Sequence, residues 1–286
     1  MNKSLISKIN LSAFCVILIS VFTYIIYKAI HVPITHDELG TIFFYSKFSY
    51  WEIMMYPDTL PNNHILNTLL TKPLIALFGI DEIVLRTPNI LSFLLYGAGI
   101  YRLVHLVLGK ASLFYIPAVV LFLMNPYLLD FFGLCRGYGM SIGFMLLSLS
   151  YLISSFKQLT QKHLWYALIL ACCASYANFT LLIYWVAVCL LILCFYILDR
   201  KRSKSLSTNS FIGMIVFGVS YFGLIIIPIL KMGSDNQFRY WTSNGFIDET
   251  VTSLVHHAVY ESKIFLSINF ITYFIVTISC IHVVLL

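Results

Sequence analysis

Three short runs hold the side chains that can move a proton or grip an anion. The first is His36-Asp37-Glu38 and the second Asn62-Asn63-His64; the third is Asn125-Pro126-Tyr127, then Asp130 and Cys135-Arg136-Gly137-Tyr138-Gly139. Adjacent carboxylates suit a general base or a metal ligand, or a solvated loop in which Asp37 caps a helix. Successive helical residues diverge by about 100°, so Asp37 and Glu38 are not expected to face one site: one acts and the other supports. His64 stands at a helix entry with two amides before it, a setting for an anion, a metal or a plain structural role. Arg136 lies where a helix begins, beside two glycines, and an arginine near free N–H groups makes a phosphate site. Its alternative is a side chain snorkelling from a helix end. An acid alone suggests a proton relay. An acid with an anion clamp beside an apolar bundle suggests a phosphorylated lipid, and that reading uses more of the residues.

The elements that must position these groups are membrane spans. Of 286 residues, 60% are hydrophobic and only 10% charged, against roughly 25% charged in soluble domains. A disordered chain and a soluble globular enzyme are both excluded. Apolar stretches at residues 11–27, 86–107, 112–129, 138–156, 164–176, 179–198, 211–230 and 264–286 predict one all-α domain over 1–286. It is a polytopic bundle of about eight spans, at about 20 residues each. The stretch at 11–27 reads as a retained anchor rather than a cleaved leader. Cys15, Cys135, Cys172, Cys173, Cys189, Cys194 and Cys280 lie almost all in apolar segments and form neither a disulfide framework nor a zinc set.

The net charge of +6 reads as topology rather than as a nucleic-acid footprint. With the N-terminus inside, the inner side carries Lys3, Lys8, Arg102, Lys110, Lys157, Lys162, Arg200, Lys201, Arg202 and Lys204 against Asp199 alone. This predicts a multi-pass protein of the plasma or inner membrane with a cytoplasmic N-terminus and its polar chemistry outside. Two outer segments are too long for turns. Residues 31–85 should hold two interfacial helices, one over 37–48 with Leu39, Ile42 and Phe43 on a single stripe, and one over 64–78 interrupted by Pro73. Residues 231–263 carry Arg239, Tyr240, Trp241, Asp248, Glu249, His256 and His257. They form either a solvated loop or a lid, with Arg239 on a phosphate and Tyr240 or Trp241 on a sugar.

Four runs in register resemble one family: THDELGT after the first span, NNHILNTLL, GIDEIVLRTPNILSFLLYG, and NPYLLDFFGLCRGYGMS. It is the family-39-like membrane glycosyltransferases of GT-C fold, related to protein O-mannosyltransferases and the lipid A aminoarabinose transferase, and the likeness covers roughly residues 10–200. The resemblance implies inverting transfer of a sugar from a polyprenyl-phosphate carrier to an acceptor on the outer face. It implies Asp37 as the base, Glu38 as the catalytic neighbour that holds it or the acceptor, and His64, Arg136 and Tyr138 near the donor phosphate. No cofactor is required by this chemistry, and whether a divalent metal takes part stays open. Family members carry more spans and often a soluble C-terminal domain, so a short or truncated, even inactive, form is one expectation. The rival functions are a lipid or polysaccharide transporter and a lipid-linked oligosaccharide polymerase.

Overall fold

A chain this apolar must satisfy its backbone hydrogen bonds within each segment, and helices do so. The computed structural model describes residues 3–58, 62–157, 160–202 and 207–234, and among them there is no strand. The expected span at 264–286 and the lid candidates Arg239, Tyr240 and Trp241 lie outside the described residues.

Helix α1 (Lys3–His31) leads to a short α2 (His36–Leu39) and, past a further stretch, α3 (Tyr50–Met54) and α4 (Ile65–Phe78). Then come α5 (Glu82–Leu108), α6 (Tyr115–Leu123), α7 (Pro126–Phe132), α8 (Gly137–Lys157), α9 (Gln161–Ala177), α10 (Leu182–Arg202) and α11 (Thr208–Ser234). Among the described residues five segments are long and apolar enough to cross a membrane: α1, α5, α8, Phe179–Leu198 and α11. The expected crossing at 112–129 is instead two helices, α6 and α7, bent by 56°. Asn125 is the reason, because its Oδ1 accepts from the N–H of Tyr127 (3.1 Å) and Leu128 (3.4 Å) while Pro126 starts the new helix. Counted as one span, that pair makes a sixth. Helix α9 has 17 residues, shorter than the five. Outward-facing Val16, Ile183 and Val219, each more than 60% exposed, are what a bilayer would cover.

The stripe expected over 37–48 is not found. The path continues from α2 as a π-helical turn (Gly40–Phe44) and a 3₁₀ turn (Tyr45–Lys47), so the side chains leave the α-helical register. Ile42 points inward at 3% exposure while Leu39 and Phe43 face out at 38% and 55%.

Successive long segments run back and forth between two ends. Asn10 Nδ2, near the start of α1, donates to the carbonyls of Lys110 (2.9 Å) and Ser112 (3.0 Å) in the α5–α6 turn. Lys157 at the end of α8 reaches the Leu106 carbonyl, and Trp165 near the start of α9 donates to Ser210 at the start of α11 (3.0 Å). At the other end lie the close of α1, the starts of α5 and α8, and the last turn of α9. Contact is most extensive along α5–α8 and α8–α9. Gly143 makes the first possible: a Cβ there would meet the Ser92 carbonyl at 2.7 Å.

The acid-bearing end is fixed by one buried ion pair. Arg86, in the first turns of α5, donates from Nε and Nη2 to the two carboxylate oxygens of Glu38, both at 2.8 Å. Its remaining N–H groups go to the carbonyls of Ala29 (2.8 Å), Val32 (2.7 Å) and Pro33 (3.1 Å). Glu38 also accepts from the Thr35 N–H (2.8 Å) and hydroxyl (3.0 Å) and the Cys135 N–H (2.6 Å). Both side chains are fully buried. Burial works against the Glu38 charge, but Arg86 and the backbone donors outweigh it and hold the carboxyl below its ordinary range.

Replacing one partner of such a pair strands the other charge, at about 3–5 kcal/mol. Arg86→Met should therefore lower the melting midpoint in detergent steeply. The double change Glu38→Leu/Arg86→Met should recover part of that loss and no more, because Cys135, Thr35 and three carbonyls lose their partners. A single-variant midpoint equal to wild type would refute the assignment.

Candidate functional site

Asp37 and Glu38 part company on α2. Glu38 turns inward to Arg86, whereas Asp37 turns outward with its side chain 49% exposed and forms an ion pair with Arg136 Nη1. His36 beside it is wholly exposed, its Nδ1 3.9 Å from Asp37 Oδ1. Arg136 lies just before α8, 19% exposed, and its Nη2 donates to Asn62 Oδ1 at 2.9 Å. Asn62 in turn donates to the Asp37 carbonyl at 3.4 Å. The guanidinium lies 5.0 Å from the centre of the Tyr138 ring, and that ring meets His64 edge-on at 4.8 Å. Residues from all three sequence runs thus converge at one end of the bundle: Asp37, Asn62, His64, Arg136 and Tyr138.

His64 begins α4 and is 5% exposed. Its Nδ1 lies 3.2 Å from the Ala177 carbonyl, which fixes Nδ1 as the protonated nitrogen of a neutral ring. Nε2 is then an acceptor, buried and without a partner. Burial, together with the charge of Arg136, pulls the imidazole down to about 4. Gly137 holds this corner together. A Cβ there would meet the Ala177 carbonyl at 2.0 Å and the His64 Cβ at 2.9 Å, so the glycine admits α9 and His64 to the start of α8. The close approach that Gly137 permits is between protein elements.

Glu38 is placed differently from the other expected site residues. Its carboxylate is saturated and sealed from solvent, so it acts on the site through Arg86 and Cys135. Asn63 is buried too, donating to the Ile53 carbonyl (3.2 Å) and accepting from Thr68 (3.2 Å). Beneath the site runs a polar chain that the residue runs alone do not single out. The Met140 N–H donates to Asn89 Oδ1 (3.0 Å), Asn89 to Asn67 Oδ1 (2.7 Å), and Asn67 to Cys135 Sγ (3.5 Å). Desolvation pushes the Cys135 thiol up to about 11, away from thiolate chemistry. Asp130 pairs with Lys28 across the close of α1. Among the described residues, no group of three or more His, Cys, Asp or Glu side chains is placed to share a metal ion.

The arrangement offers a half-exposed carboxylate, a guanidinium held by two oxygen partners, an amide, a phenol and an unpartnered imidazole nitrogen. Such a set can accept a proton on one side and neutralise an anion on the other.

The depressed His64 value carries a sign. Between about 6.5 and 4 the unfolded chain binds a proton at this ring that the folded chain does not, so stability falls as pH drops through that window. The ring's share reaches about 3 kcal/mol at pH 4. In melts from pH 7.5 to 4.5, His64→Asn should lose this part of the slope. Equal slopes in the two proteins would show that His64 is solvated.

Comparison of the chain with family models, with curated proteins and with solved structures finds no match.

Proposed function

We propose that this chain is an integral-membrane inverting glycosyltransferase that moves a sugar from a polyprenyl-phosphate carrier to a hydroxyl or amine acceptor. The observation that carries the reading is the convergence of Asp37 and Arg136, with Asn62, Tyr138 and His64 around them, at one end of a bundle with five membrane-length helices. A soluble substrate would give no reason to mount these groups at the end of such a bundle. A phosphorylated lipid does.

In a single displacement the acceptor attacks the anomeric carbon from the face opposite the phosphate. Its proton passes to Asp37, the new glycosidic bond forms, and the bond from carbon to phosphate oxygen breaks. Polyprenyl phosphate leaves with the electron pair. A phosphate leaving group needs cations and N–H donors rather than a general acid, which is the role of Arg136. The Asp37–Arg136 pair has to open for this. The donor phosphate takes over the guanidinium, and Asp37 is then available to the acceptor. His64 Nε2 accepts a hydrogen bond from a sugar hydroxyl of the donor, and Tyr138 keeps Arg136 and His64 in place.

The finer topology belongs to the same proposal. The segments in the described residues, with that at 264–286, make about eight crossings, and the N-terminus is cytoplasmic. Support comes from the grouping of Lys3, Lys8, Arg102, Lys110, Lys157 and Lys162 at the end away from Asp37, which fits a positive inner face. In a cysteine-free background, Ser234→Cys should react with an impermeant thiol reagent from outside and Ser203→Cys only after permeabilisation. The reverse pattern would invert the map.

The central experiment incubates membranes with labelled polyprenyl-phosphate sugars and candidate acceptors. Label should leave the lipid only when an acceptor is present; movement between leaflets without chemistry would replace the reading with a transporter. Asp37→Asn should cut transfer about 10²–10⁴-fold while donor binding persists. Arg136→Ala should weaken donor binding and turnover together. Normal turnover in both variants would sink the role assignments.

A further inference from the structure

The end of the bundle away from Asp37 carries a cluster that the transfer reaction does not use. Arg102 and His105 of α5, Lys110 in the turn after it, Lys157 closing α8 and His163 opening α9 are brought together there. The charges of Arg102, Lys110 and Lys157 all reach the His105 ring. Among the described residues none of these three cations pairs with a carboxylate.

Arg102 is held as a ready fork. Its Nε donates to Ser150 at 3.0 Å and its guanidinium lies 4.0 Å from the centre of the Tyr151 ring, while among the described residues no acceptor meets Nη1 or Nη2. A guanidinium oriented this way spends little entropy on engaging a phosphate. Lys157 gives one N–H to the Leu106 carbonyl and keeps the others. His105 and His163 each hold Nδ1 out of solvent with no hydrogen-bond partner. Next to the cations, Val107 and Phe156 are 70% and 63% exposed. Charge and bare apolar surface therefore meet at the ends of two membrane-length helices, α5 and α8.

From this juxtaposition we infer a site for the phosphate headgroup of an anionic phospholipid, its acyl chains running down past Val107 and Phe156. Inorganic phosphate would satisfy the cations but leave the apolar flank bare. A zwitterionic lipid would cover the flank but bring its own cation to the cluster. The site is independent of the transfer chemistry, since it shares no residue with it.

The test is the melting midpoint of the purified chain in detergent, titrated with phosphatidylglycerol, with phosphatidylcholine of the same acyl chains, and with inorganic phosphate. Phosphatidylglycerol should raise the midpoint saturably and the other two should not. The double variant Arg102→Gln/Lys110→Gln should need roughly ten times more phosphatidylglycerol for half the shift. Because Arg102 also packs on Tyr151, Lys110→Gln alone, at an exposed position, tests the charge without touching that packing and should move the curve the same way. Asp37→Asn should keep the full response. Equal protection by phosphatidylcholine or by inorganic phosphate, or an unchanged titration in both cluster variants, would overturn the site.

Discussion

A single buried ion pair decides whether the acid-bearing end of this molecule has a shape. Two charges out of water cost several kcal/mol each unless geometry and extra hydrogen bonds compensate. Here the compensation is complete: every N–H of Arg86 and both oxygens of Glu38 are used. The partners come from the last turn of α1, the link to α2, the start of α5 and the approach to α8. None of these elements can shift without stranding a charge. The pair therefore does for the end of the bundle what ridge-and-groove packing does for its middle.

Asp37 inherits its position from that arrangement. Since Glu38 is locked inward, the next residue back on the same helical turn has to face the other way. The Cys135 N–H that Glu38 accepts lies one residue before Arg136, so the same carboxylate also sets where the guanidinium emerges. A half-exposed acid and its cation are brought together by a neighbour that touches no solvent. Preorganisation of this kind, from supporting residues on rigid elements, is what an electrostatic site requires.

How much of this could be read from residue order alone depends on the range of the interaction. Hydropathy is a local property, and the segments at 11–27, 86–107, 138–156, 179–198 and 211–230 all fall in helices. The divergence of Asp37 and Glu38 follows from helical geometry and is also local. Arg86 was hidden, although an arginine in the first turns of an apolar helix is costly without a partner; its partner lies 48 residues away. The Asn67–Asn89 link escaped for the same reason. The π turn at Gly40–Phe44 has no local signature, and it moved Leu39 and Phe43 off the face given to Ile42. The bend at Asn125-Pro126 was visible in composition as a capping pair, but an apolar run on both sides masked it.

The far end of α11 has a mechanical consequence. Lys231 donates to the carbonyls of Met55 and Tyr56, both at 2.8 Å, and Tyr56 holds a left-handed backbone at φ 59°, a conformation that costs a non-glycine residue roughly 1–2 kcal/mol. Two residues before Met55, the Ile53 carbonyl takes the Asn63 amide, between Asn62 and His64. A long apolar helix adjusts its tilt to the thickness of the hydrocarbon around it. Lys231 ties the end of α11 to the turn at Met55 and Tyr56, and Ile53 ties that turn to the loop that holds Asn62 against Arg136. One lysine thus joins the last described helix to the surroundings of the Asp37 pair.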